Sequence, residues 1–149
     1  MRRSAFFWLV AFLVMSHGVP AGRAADDVPL PDDIRFATPD VSVTPELSRF
    51  IGRWSGAWDT GLAHLLVVES VEPNGAARVV YAWGDFAAYR LTRGWTRTSG
   101  RISGNRLALE PFRNGANVDY EFRDDGTLRG LYSRGNAPSR SSMKRAAGS

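Results

Sequence analysis

Residues able to do chemistry are sparse in this chain. Two histidines occur, His17 and His64. His17 falls in a segment that reads as a leader, so His64 is the imidazole left to the folded part. A lone histidine on an apolar strand reads as a core residue rather than a general base or a metal ligand. There is no cysteine, which excludes thiol redox chemistry, thiolate metal sites and disulfides. No Gly-x-Ser-x-Gly elbow, spaced histidine pair or phosphate-binding loop is present. Glu69, Asp85 and Glu121 would make a glycosidase-type pair only if the fold set two of them about 5–10 Å apart; otherwise they are surface carboxylates. We therefore expect no catalytic residues, no metal and no cofactor, and the balance leans against an enzyme.

What the chain does carry is aromatic rings, five Trp, four Tyr and eight Phe, spaced at two-residue intervals. Period two is the mark of half-buried strands. Strands are expected near 53–58, 63–71, 76–83, 89–98, 101–103 joined to 106–110, 116–122, 127–133 and 139–145. Between them lie turn sequences such as Asn74-Gly75, Asn114-Gly115 and Asp125-Gly126, which favour tight hairpins. Helical periodicity is absent from the body, and no gap is long enough for a crossover helix. The expected fold is all-β, a single antiparallel up-and-down barrel of about eight strands. Pro45 to Phe50 adds a short N-terminal helical turn, with Thr44 as N-cap.

The N-terminus reads as an address. Arg2-Arg3 is followed by an apolar run from Ala5 to Met15, too short to span a bilayer, which takes about 20 residues, but of signal-peptide length. The residues after the arginine pair suit a general secretory signal better than a twin-arginine one. Cleavage is expected between Ala24 and Ala25, with Ala21-Gly22 as the alternative, which leaves no stable membrane anchor and a periplasmic or secreted protein. The division is then a signal peptide (1–24), an acidic Pro-rich arm (25–45), a barrel (46–145) and a frayed tail (146–149). Residues 1–24 carry Arg2, Arg3 and Arg23 and no acid, so processing lowers the net charge from +4 to +1. Six acids face only Arg35 between residues 25 and 46, ahead of a mildly basic body. The arm is either extended and solvated by its own charge or laid on the basic surface. No basic run suggests nucleic-acid binding.

Phe50, Gly52 and Trp54, opening the first strand behind a helical turn, resemble the first motif of the calycin superfamily, the group of lipocalin- and avidin-type barrels. The resemblance implies that the glycine allows close approach at the barrel floor and that the tryptophan plugs the closed end. It also implies a basic residue of the last strand, Lys144 or Arg145, packed across the tryptophan. The stretch from Val79 to Asp85 is similar to uncharacterised exported bacterial proteins. The function that the resemblance implies is that of a ligand-binding cup.

Placing charges outward turns Trp54 and Trp58, His64 and Leu66, Tyr81 and Trp83, and Val118, Tyr120 and Phe122 inward. The loop from Trp83 through Asp85 to Tyr89 is the expected mouth. Trp54, Trp58, His64, Tyr81, Trp83, Asp85, Tyr89 and Tyr120 are thus the candidate ligand-binding residues, provided the rings do not merely fill the barrel. The expected function is non-catalytic binding of a small, partly apolar or sugar-like molecule. The alternatives are a periplasmic protein-interaction or enzyme-inhibitor module and an accessory domain of an envelope hydrolase. Leu65, Val67 and Val80 form an outward apolar patch that needs a cover: the arm, a second copy in a homodimer, or a partner protein.

Overall fold

The computed structural model describes residues 27–147; the expected leader, residues 1–24, lies outside them, as do the last two residues. A single turn of helix, α1 (Pro45–Ser48), leads into eight antiparallel strands. These are β1 (Gly52–Trp58), β2 (Ala63–Val71), β3 (Ala76–Trp83), β4 (Gly94–Ser103), β5 (Arg106–Leu109), β6 (Asn117–Phe122), β7 (Leu128–Arg134) and β8 (Ala137–Arg145). Each strand pairs with the next, and β8 pairs back onto β1 from Trp54↔Arg145 to Trp58↔Ser141. The result is a closed up-and-down barrel, in which no strand edge is left unpaired.

Closure sorts the connections to two ends. The loops after β1, β3, β5 and β7 lie at one end. The loops after β2, β4 and β6 lie at the other, with α1 and the C-terminal end of β8. That second end is the floor. Trp54 is fully buried there and donates its indole N–H to the Phe50 carbonyl at 2.9 Å. Phe122 meets Phe50 and Trp54 edge-on, with centroids 5.5 and 5.7 Å apart. Arg145 lies across the indole, its guanidinium carbon 4.3 Å from the ring centroid. Its two terminal nitrogens donate to the Ile51 and Arg49 carbonyls, each at 2.8 Å. Gly52 sits at φ 132°, a backbone conformation side chains rarely adopt. Arg145 is therefore the basic residue that seals the floor, and Lys144 is exposed. Thr44 holds the cap position of α1 through its carbonyl, which accepts from the backbone of Leu47 and Ser48; its side chain makes no cap bond.

Two expectations change, and the arm takes one of the two forms expected of it. Residues 89–93 are not strand: β4 begins at Gly94 and runs unbroken to Ser103. Residues 84–93 close on themselves instead, because Asp85 accepts the Arg93 N–H at 2.8 Å, Thr92 accepts the Trp83 indole at 2.9 Å, and Phe86 bridges Leu91. Pro138 lies within β8 rather than in the preceding turn, beyond the last residue that β1 pairs. The described part of the arm is extended and docked along the outer face of β2 and β3. Val28 packs on Leu65 and Ala82, with Leu30 and Ala63 beside it. The patch of Leu65, Val67 and Val80 is thus buried within the chain, and a second chain would reach it only after the arm had left.

The arm is pinned electrostatically. Glu69, at the β2 bulge, is buried. Its carboxylate faces the Arg97 guanidinium at 3.1 Å, and the same guanidinium reaches Asp33 of the arm at 2.9 Å. The Ala37 N–H then adds a backbone bond to the Glu69 carbonyl. A buried carboxylate without its cation is costly. Arg97→Met should therefore lower the thermal midpoint and speed amide exchange across residues 28–37. Adding Glu69→Gln should recover part of the loss; a double variant less stable than Arg97→Met alone would contradict this account. At the floor, Lys cannot span two carbonyls as the planar guanidinium does. Arg145→Lys should cost about 1–3 kcal/mol in urea unfolding.

Candidate functional site

The opposite end of the barrel is open. A cleft of about 820 Å³ lies between the β1–β2, β3–β4 and β5–β6 loops and the ends of β7 and β8. Six rings stand in its walls: Trp58, Tyr81, Trp83, Tyr89, Phe112 and Tyr132. Thr60, Leu62, Leu91, Thr96, Ala137 and Ser139 complete the apolar and hydroxyl lining, and Arg113, Asn114 and Arg134 stand at the rim. The rings brace one another. Phe112 is 5.1 Å from Tyr81, Tyr81 is 6.0 Å from Trp83, and Trp58 meets Tyr132 edge-on at 5.9 Å. Tyr89 sits on a short 3₁₀ turn (Ala87–Tyr89), backed by Phe86 at 5.2 Å and largely exposed over the mouth. The turn ends at Arg90 in the left-handed conformation.

Beneath the cleft lies a buried polar layer. The Trp58 indole donates to the Tyr81 hydroxyl at 3.1 Å and stacks on His64, with centroids 4.4 Å apart and planes 14° from parallel. His64 is fully buried, and neither ring nitrogen has a hydrogen-bond partner among the described residues. The Tyr120 hydroxyl and Ser141 Oγ are likewise buried and unpartnered. Gly130 makes room for them: a Cβ there would press into Ser141 Oγ and stand 3.1 Å from the Tyr120 ring and 3.2 Å from Trp58. Burial holds the imidazole at a pKa of about 3. It also raises the Tyr120 and Tyr81 hydroxyls, the latter opposed by the Trp58 hydrogen bond. The layer is therefore polar but uncharged at neutral pH.

These positions sort the candidate residues. Trp58, Tyr81, Trp83 and Tyr89 face the cleft. His64 and Tyr120 lie under it, screened by Trp58. Trp54 belongs to the floor, too deep on β1 to reach the cleft. Asp85 stands outside the lining, where it holds the 84–93 loop by accepting from Arg93. Leu62, Thr96, Phe112, Arg113, Tyr132, Arg134 and Ser139 join the lining without having been marked by local sequence. Topology carries the signal for the loop residues among them, because in an up-and-down barrel the β5–β6 loop opens on the same end as the 84–93 loop.

The three carboxylates do not converge. Glu69 pairs with Arg97 beneath the arm, Asp85 with Arg93 at the rim, and Glu121 with Arg129 and Arg123 on β6. No carboxylate orients His64, which is the support a general base needs. Among the described residues no group of three or more His, Asp or Glu is placed to hold a metal ion, and no helix is long and apolar enough to cross a membrane. No protein-family model matches the chain, and no curated protein matches it.

The buried imidazole has a pH signature. It is neutral in the fold down to about pH 3, whereas in the unfolded chain it takes a proton near pH 6.5. The unfolded state therefore binds more protons between those values. Stability from this group is complete above about pH 6.5 and falls as pH drops toward 3, by up to about 1.4 kcal/mol per pH unit. His64→Leu removes the titration together with two unpartnered polar atoms, so it should be neutral or stabilising at pH 7. Its unfolding free energy should also fall less steeply between pH 6.5 and 4.5. Equal slopes for the two proteins in urea melts across that range would refute the assignment.

Proposed function

We propose that this protein is an exported, non-catalytic barrel that binds a small, partly apolar or sugar-like molecule in the open cup. One observation carries the reading: a cleft of about 820 Å³ walled by six aromatic side chains, at the one end of the barrel that the floor residues leave open. Ligand pockets run from about 300 to 1,000 Å³ and combine apolar walls with a few polar groups. A cup of this kind offers ring faces for stacking, and Asn114, Thr96 and Ser139 for orientation. The floor adds support by resemblance. Phe50, Gly52 and Trp54 under Arg145 are similar to the closed end of calycin barrels, which hold ligands at the opposite end. The lack of an oriented acid or base inside the cup favours binding over turnover. The apolar leader favours export.

Native mass spectrometry of the processed chain from an envelope extract tests the reading. The expected result is a monomer carrying a small-molecule adduct, which Ser139→Trp, a substitution that fills the cup, removes. A bare chain, or an adduct indifferent to Ser139→Trp, would count against a ligand in the cup.

A further inference from the structure

The charges around the cup are one-sided. Of the side chains that line it, Arg113 and Arg134 are charged and none is acidic. Neither guanidinium makes an ion pair or hydrogen bond among the described residues. The acids near this end stand outside the lining. Asp85 is held by Arg93, Asp59 accepts the Arg140 N–H at 3.1 Å, and Glu110 and Asp27, the latter beside the Val28 that packs at Gly84, are exposed outside the lining.

The two arginines belong to connected segments. Arg113 follows Phe112 in the β5–β6 loop. Arg134 ends β7, two residues after Tyr132 and so on the same face of the strand. Asn114 donates to the Tyr132 hydroxyl at 3.3 Å and ties the loop to the strand. Arg113 and Arg134 therefore line the cleft on the same two segments as Phe112 and Tyr132 of the cup wall.

A cation in the cup meets two positive groups and no acid. An uncharged ligand gains the rings but leaves both guanidiniums to solvent. An anion gains both. Its apolar body stacks on the walls, and its oxygens accept charge-assisted hydrogen bonds from planar donors suited to two-point contact. Low-dielectric walls focus the positive field into the opening.

We propose that the cup takes an amphiphilic anion, with a flat apolar body among Trp58, Tyr81, Trp83 and Phe112 and a carboxylate, sulfonate or phosphate at the rim between Arg113 and Arg134. This rests on the reading of the cup as a ligand site. Anilinonaphthalene sulfonate and its uncharged parent phenylnaphthylamine share one ring body and differ by the anionic group, so their fluorescence titrations test both ideas. The sulfonate should bind about tenfold or more tightly than the parent at low salt, and added salt should narrow that preference. Arg113→Gln/Arg134→Gln should collapse the preference, and Ser139→Trp should abolish binding of both probes. If the two probes bind equally and the arginine variant leaves their ratio unchanged, while Ser139→Trp still blocks them, the anion is wrong and the cup stands. If neither probe binds, or Ser139→Trp changes nothing, the cup itself is wrong and the anion with it.

Discussion

The barrel depends on the pairing of its first strand with its last. An eight-stranded sheet that fails to close leaves two edges and an interior open to water along its length. Closure requires the start of β1 and the end of β8 to meet in register, and that happens at Trp54↔Arg145. The residues that make this pair also build the floor. The indole fills the interior beneath Phe50 and Phe122, while the guanidinium lies over it and takes two carbonyls of the chain entering β1. A single contact thus joins the strand ends, satisfies backbone acceptors and plugs one mouth. The other mouth is free to be something else.

What it becomes is set by side-chain size along the inward positions of a few strands. On β1 these are Trp54 at the floor and Trp58 in the wall of the cup, with Gly56 between them. Gly56 permits a close approach, since a Cβ there would lie 2.5 Å from the Ser142 carbonyl. On β3 they are Val79 low, then Tyr81 and Trp83 high. The core is aliphatic and dense where Leu66, Leu107, Leu128 and Met143 meet Trp54, and all are fully buried. It turns aromatic and polar at His64 and Tyr120, then opens. An eight-stranded barrel can fill itself or hold one small ligand. Here it does the first over its lower half and leaves room above.

Period two and turn chemistry made the strand count, the closed architecture and most inward faces legible. Charged neighbours such as Arg78 and Glu69 sufficed to orient β2 and β3. Legibility failed where local pattern and tertiary contact disagreed. Tyr89 and Leu91 alternate like a strand, but Asp85 and Trp83 bond across to Arg93 and Thr92 and fold the segment into a loop. By alternation alone Trp54 and Trp58 look equivalent on β1; the resemblance of Phe50, Gly52 and Trp54 marked the plug, and the position of the floor separates it from the wall. The rim arginines had no local mark at all. Arg113 and Arg134 resemble every other surface arginine until closure brings their segments to one opening. The arm was legible by composition, an acidic Pro-rich stretch, and its docking stood as one of two open alternatives; the choice between them needs Arg97 on β4 to meet Glu69 on β2 and Asp33 together.

That docking bears on the opposite problem, how the described residues, in which basic and acidic side chains nearly balance, keep a positive mouth. Balance over the whole surface does not require balance at each point, and the acids here are committed elsewhere. Asp33 and Glu69 neutralise Arg97 on the outer wall, Asp119 takes Arg106, and Glu121 takes Arg129 and Arg123. The pairs of Arg106, Arg123 and Arg129 are solvent-exposed, where ion pairs add little stability, whereas Glu69 is buried under Arg97 and depends on it. Their consequence is spatial. By holding acids on the wall they leave none in the cup, and a hollow lined with rings concentrates whatever field remains at its opening. The acidic arm thus covers an apolar patch and places its negative charge on the outside of the barrel, while the rim keeps two arginines without partners among the described residues. A cup lined by charge of one sign arises from where the acids are placed rather than from an excess of base.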